Sequence, residues 1–325
     1  MPTLPTHRGL TAALPLVFII ACRPDAAAPP LATDFRPSFS LSGAEWSAAV
    51  NMGPAINSPA GEMNAALSPD GLSLYFTSDR TPSLGLTDIW IAQRECIGCL
   101  WQTPVNPGAP INSVGQDAGP RFSNDGHLLF FQSDRPGGAG LGDIYVSRRN
   151  NPNDDFAWDE VTLLGGDVNT ATGVENAADY LQSAEDGGGN LYFNRAVPPL
   201  PPEIYYASVS RDGETRGPAV YVSELNVVTA NDQHVTIRKD GRELFFSSNR
   251  LGGLGSFDIW TSTRDNPHEP WSAPSPLGSP PNTAASDQQP TLSADGRTMV
   301  FTSNRTAGGF GGSDLWISTR SPGAH

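Results

Sequence analysis

Lysine is nearly absent from this chain: Lys239 is the only one, and Lys plus Arg total 20 against 34 Asp plus Glu, a formal net charge of -14. A protein that gains affinity by displacing counterions from phosphates needs a basic face, so nucleic acid is excluded as a partner. Cysteine is limited to three residues, Cys22, Cys96 and Cys99. The amino-terminal apolar run from Leu10 to Ala21 has 12 residues, short of the roughly 20 that span a bilayer. Local catalytic signatures are missing too: there is no Gly-x-Ser-x-Gly, no Gly-x-x-x-x-Gly-Lys and no His-Glu-x-x-His. Turn-formers are what the chain has in quantity, 34 Gly and 30 Pro, which argues for many short elements joined by loops. With 7 Trp, 7 Tyr and 14 Phe it carries enough aromatic surface to bury a core and is no disordered linker.

The apolar run follows His7 and Arg8 and ends Ile19-Ile20-Ala21-Cys22. A short run with basic residues before it is the h-region of a signal peptide, and the Cys directly after Ala21 resembles the bacterial lipobox. That resemblance implies cleavage after residue 21, lipid on Cys22, and export to the envelope. Arg23 after the Cys favours the outer membrane, facing the periplasm or the cell surface. Residues 22–43, with Ala26-Ala27-Ala28-Pro29-Pro30, read as a Pro/Ala tether. Cys96 and Cys99 are expected to pair as a local disulfide, because an exported chain with two Cys so close has an oxidising environment and no helical redox context. Further zinc ligands are missing, since His127, His234 and His268 show no ligand spacing.

Residues 44–325 are organised by repetition. Ser68-Pro69-Asp70-Gly71 leads to Leu74-Tyr75-Phe76-Thr77-Ser78-Asp79-Arg80 and then to Asp88-Ile89-Trp90. The pattern returns around Asp125-Gly126, Asp240-Gly241 and Asp295-Gly296, and in a weaker form at Asp186-Gly187, at intervals of 55, 61, 54 and 55 residues. Each copy reads as strand, Asp-Gly hairpin, strand, Gly-rich loop, strand, connector, strand. The second strand is apolar on both faces, as it is where sheets stack face to face. Four-stranded units at this period are propeller blades. The predicted fold class is therefore all-β, a five-bladed β-propeller. Connectors carry a Trp and then an Asn, as from Trp101 to Asn112, and the same connector from Trp46 to Asn57 stands before the first blade. The amino-terminal segment is thus expected to supply the outer strand of the last blade and close the ring.

The sequence Ser-Pro-Asp-Gly, an apolar strand, Ser-Asp-Arg and Asp-Ile-Trp resembles the TolB-type, WD-like propeller repeat over about residues 44 to 320. The resemblance implies the fold more than an activity, since the repeat serves binding proteins, peptidase accessory domains and lyases. The chain departs from TolB itself in having no room for a preceding α/β domain.

Eight residues before each clear Asp-Gly stands an acid, Glu62, Asp117, Asp232 or Asp287, with Glu175 as the counterpart in the weaker copy. Two readings compete. The five carboxylates could crowd one mouth of the channel and hold a structural cation, or each could bond to backbone and to an Arg such as Arg80, Arg135, Arg250 or Arg305. Recurrence in every blade favours the second. Asp88, Asp143, Asp258 and Asp314 read as caps of the Gly-rich loops or as partners of those Arg. The segment Asn151-Pro152-Asn153-Asp154-Asp155 lacks the Gly of a calcium loop and is expected to be solvated. The loop Pro198-Pro199-Leu200-Pro201-Pro202 interrupts the pattern and is a candidate binding loop. No metal or other cofactor is expected beyond that possible cation. With no catalytic motif, the expected function is a non-catalytic, lipid-anchored, monomeric propeller that binds an envelope protein or peptide. The alternative is a glycan-active hydrolase or lyase using two channel carboxylates in different environments.

Overall fold

The computed structural model describes residues 46–182 and 188–321. Cys22, the segment 22–43 and Glu185-Asp186-Gly187 lie outside the described residues. The observed fold is the expected ring of five antiparallel blades. After β1 (Val50–Asn51) the first blade comprises β2 (Glu62–Leu67), β3 (Ser73–Ser78) and β4 (Asp88–Gln93). The second holds β5 (Asp117–Phe122), β6 (Leu128–Ser133), β7 (Asp143–Arg148) and β8 (Thr162–Leu163). The third holds β9 (Val174–Gln182), β10 (Gly189–Ala196), β11 (Glu203–Val209) and β12 (Val220–Tyr221), and the fourth β13 (Asp232–Ile237), β14 (Glu243–Ser248), β15 (Asp258–Thr263) and β16 (Ser275–Pro276). The fifth, β17 (Asp287–Leu292), β18 (Thr298–Ser303) and β19 (Asp314–Thr319), is completed by β1, with Val50 opposite Ile317. In the first blade the outer strand shrinks to one bridge, Ile91 with Val105.

The core lies in slabs between neighbouring blades, which is why the second strands are apolar on both faces. Leu74 and Phe76 pack with Val300 and Leu315 across the first and fifth blades, while Tyr75 packs with Leu129 and Phe131 on the other side. Such slabs bury apolar area from both partners at once. Ring closure rests on a local device repeated in every blade. The connector Asn lies against the third strand like one residue of a ladder: Asn112 Oδ1 accepts from Ile89 N at 2.9 Å and its Nδ2 donates to Ile89 O at 2.9 Å. Asn169, Asn226 and Asn282 do the same, and Asn57 does it to Leu315 of the last blade.

Each inner strand also breaks register at a bulge, where Asn64, Gly119, Ala177, His234 and Gln289 adopt φ of +51, +64, +52, +57 and +57°. A bulge frees one N–H from its own ladder, and four of these turn to the preceding blade. Gly119 donates to Thr77 Oγ1 (3.0 Å), His234 to Asn194 Oδ1 (2.8 Å), Gln289 to Ser247 Oγ (2.7 Å) and Asn64 to Thr302 Oγ1 (3.3 Å). Stitching at the axis thus fixes how the blades sit around the channel. Thr77→Val, which keeps the shape and orphans the Gly119 N–H, should cost about 1–3 kcal/mol in a urea titration, and a loss within error of zero would remove the stitch from the stability of the ring.

Candidate functional site

The five repeated acids are buried within the blades, each fully or almost fully hidden from solvent. Asp117 accepts from Ser113 N (2.5 Å), Ser113 Oγ (2.8 Å), Ser133 Oγ (2.6 Å) and Arg135 Nη2 (2.7 Å). Glu62 repeats this with Ser58, Ser78 and Arg80, Asp232 with Val227, Ser248 and Arg250, and Asp287 with Thr283, Ser303 and Arg305. Glu175 has Thr170 and Arg195 but no strand hydroxyl, and burial holds its carboxyl above the usual range. Each Arg in turn donates to a connector carbonyl, as Arg135 does to Ile111 O, and lies over the aromatic rings of its blade, as Arg135 over Phe131 and Tyr145. The oxygens are committed to fixed donors, so the cation reading has no open ligand here. No cluster of three or more potential metal ligands occurs among the described residues.

The loop acids Asp88, Asp143, Asp258 and Asp314 cap the Gly-rich loops: Asp258 Oδ2 accepts from Leu254 N and Gly255 N, both at 2.9 Å. Cys96 and Cys99 form a disulfide in the connector after β4. Pro198 to Pro202 form an exposed turn between β10 and β11, with Leu200 62% exposed. Asp155 departs from the expected solvated loop. It is buried, and it accepts from Arg149 Nη1 (3.0 Å), Gln93 Nε2 (2.6 Å) and the hydroxyls of Tyr75 and Ser73, because its loop folds inward against the first blade.

The asymmetry of the molecule lies at the axis. Four residues beyond each repeated acid, the inner strands carry Ala66, Arg121, Asp179, Thr236 and Thr291. Arg121, from the second blade, crosses toward its neighbours: Nη1 donates to Ala65 O of the first blade at 2.7 Å, Nη2 to Pro290 O of the fifth at 3.4 Å, and Nε lies 3.6 Å from Asp179 Oδ1 of the third. Burial and the nearby Arg121 charge hold the His234 imidazole neutral, its pKa lowered to about 3. Burial also depresses Arg121 itself, with Asp179 opposing. Asp179 is pushed up to about 6 by burial, although Arg121 and the N–H of Ile237, which it accepts at 2.9 Å, pull the other way. These two residues form the floor of a small funnel of about 60 Å³ on the Asp-Gly face, walled by Ser123, Asn124, Thr236, Lys239 and Ser293. Among the described residues Asp179 is the one carboxylate in that lining. No local motif marks Arg121 or Asp179, and His234 shows no ligand spacing. The available signal was a charged pair at an inner-strand position where the other copies hold Ala and Thr.

No family model matches the chain, and no curated protein matches it. Solved structures share the fold. A thermostable family-43 glycoside hydrolase is similar at a TM-score of 0.58, with 15% identity over 83% of this chain and 92% of that one. The α-L-arabinofuranosidase PaAbf62A of Podospora anserina, in complex with cellotriose, gives 0.55, 14%, 87% and 99%. The catalytic domain of a Coprinopsis cinerea GH62 α-L-arabinofuranosidase gives 0.56, 12%, 87% and 99%. The expectation of a non-catalytic scaffold for a protein or peptide is corrected by this comparison: glycoside hydrolases are among the structures that share this ring, and the glycan-directed alternative is the better backed. That alternative placed the chemistry on the repeated acids, and these are committed to fixed donors within their blades.

Proposed function

We propose that this chain acts on glycans as a hydrolase, with the scissile bond presented at the mouth of the axial funnel and Asp179 as proton donor. The observation that carries this is Asp179 itself, a carboxyl raised to about 6 at the floor of the funnel, with a guanidinium 3.6 Å away. A carboxyl of that pKa holds its proton in mildly acidic solution and can give it up within the range where enzymes work. In the reaction the Asp179 proton moves to the glycosidic oxygen as its bond to the anomeric carbon breaks. Water adds at that carbon and releases a proton to solvent. Arg121 offsets the charge left on Asp179. No side chain of the funnel is assigned to activating the water, since among the described residues its lining holds no second carboxylate. The shared ring with enzymes named as arabinofuranosidases makes pentose side chains of plant-type polysaccharides the first substrates to try. We place this activity in the bacterial envelope, on a protein tethered through lipid at Cys22.

The test is release of reducing sugar from arabinan, arabinoxylan, xylan and a set of uronate-containing polysaccharides, across pH 4 to 9. Because the protonated form of Asp179 is the active one, kcat/KM should fall about tenfold for each pH unit above roughly 6. Absence of product from every polysaccharide, or a rate flat through that range, overturns the assignment.

A further inference from the structure

An Arg recurs after the third strand of four blades, Arg94, Arg149, Arg264 and Arg320, and grips the Asp-Gly turn of its own blade: Arg264 Nε donates to Gly241 O at 2.6 Å. Each also lies over the connector Trp, with Arg264 3.9 Å from the ring centre of Trp271. Two of these Arg meet a carboxylate at the seam with the preceding blade. Arg149 meets Asp155, which sits over Tyr75 and beside Ser73. Arg320 meets Glu243 in a two-bond fork, at 2.8 and 2.7 Å. Glu243 holds in β14 the position that Ser73 holds in β3, three residues before the Phe shared by both strands.

The seam between the third and fourth blades has the same walls and no such carboxylate. Asn190 stands where Ser73 and Glu243 stand, Tyr192 where Tyr75 stands, and Arg264 where Arg149 stands. The connector from Arg264 to Trp271 is two residues shorter than that from Arg149 to Trp158, so it has no counterpart of Asp155 to fold inward. Among the described residues no carboxylate lies within ion-pair distance of Arg264. What remains is an open groove of about 460 Å³ with Asn190, Tyr192, Tyr206 and Arg264 in its lining. Tyr206 is half-buried and stacks at 5.4 Å on Tyr192. Glu224 and Glu269 stand at the exposed rim, where solvent and salt screen them.

We propose that this groove binds a carboxylate-bearing sugar of a glycan, a uronic acid residue, which supplies the anion that Asp155 and Glu243 supply at two of the other seams. Its carboxylate meets Arg264, with Asn190 and the Tyr192 hydroxyl beside it, and its ring lies against Tyr206, whose flat apolar face suits the C–H face of a sugar. The proposal rests on the glycan-directed reading above and names the substrate class for it. The groove is a second site, apart from the axial funnel, and holds the chain rather than cleaving it.

The test is calorimetric titration of the folded protein with tetragalacturonate, its methyl ester, xylotetraose and hexaglutamate, repeated on Asn190→Glu. That substitution recreates the Glu243–Arg320 fork and is expected to fold with unchanged or higher stability. Tetragalacturonate should bind at least tenfold more tightly than its methyl ester or xylotetraose, and Asn190→Glu should lose that difference. Equal affinity for the charged and esterified forms, or full retention in Asn190→Glu, overturns the proposal. So does hexaglutamate binding as tightly as tetragalacturonate, since it would make the groove a site for acidic peptide. Binding by an inactive enzyme would leave this inference standing while the hydrolase reading fails, and hydrolysis of neutral glycans with no uronate binding would do the reverse.

Discussion

Asp179→Asn is expected to lower glycan turnover, with kcat falling about 10²- to 10⁴-fold, the usual worth of a positioned general acid, and at neutral pH to leave the fold as stable as before or more so. The second half follows from the sign of the shift. In the unfolded chain this carboxyl titrates near 3.8, and in the folded one near 6. Between those values the unfolded chain has released the proton while the folded chain keeps it. The contribution of Asp179 to stability is therefore complete below pH about 4 and is lost as pH rises through about 6, a difference of about 3 kcal/mol. Asparagine resembles the protonated carboxyl and cannot ionise. Relative to wild type, Asp179→Asn should gain stability from pH 4 upward and level off above 6. The counter-argument is the loss of the partner of Arg121, but at 3.6 Å that pair is too long for a strong charge-assisted hydrogen bond, and Arg121 keeps its bonds to Ala65 O and Pro120 O. Melting curves of both proteins at pH 4, 5.5 and 7.5 decide it. A variant that loses activity together with several kcal/mol at every pH makes Asp179 a structural ion pair rather than a proton donor.

Asp117→Ala does the opposite, costing about 3–5 kcal/mol of stability, the range for removing one partner of a buried ion pair. Its carboxylate is the meeting point of the connector Ser113, the strand residue Ser133 and Arg135. Removing it leaves a guanidinium 14% exposed with only carbonyl and hydroxyl partners. Glu175→Ala should cost less, because its strand supplies no hydroxyl and its carboxylate is already raised by burial. Urea midpoints at pH 7 measure both. Turnover by folded Asp117→Ala below its melting point should match wild type; loss of turnover at unchanged stability would return catalysis to the repeated acids.

The two seam devices explain why regular and irregular parts of this propeller were unequally legible. A repeated acid and its Arg are 18 residues apart in four blades, within one local unit, so their recurrence could be read as blade construction before any coordinates. The Asp-Gly turns, the paired Cys96 and Cys99 and the closing strand around Trp46 are legible for the same reason: each is a short-range device or a copy of one. Asp155 escapes a local reading because its loop has the composition of a solvated turn, and three of the four donors to its carboxylate, Ser73, Tyr75 and Gln93, belong to the neighbouring blade.

Sequence alone determined the five-fold repeat, the order of strands within a blade and the closure of the ring, since hydrophobic pattern, turn chemistry and hydrogen-bond pairing act over tens of residues. Tertiary structure decided which residues meet at the axis and at the seams. Arg121, Asp179 and His234 belong to three different blades, and Arg264, Tyr192 and Asn190 to two, so no local spacing links them. Closing the ring brings them together, because it turns equivalent inner-strand positions toward one axis and makes the differences among the five copies into neighbours.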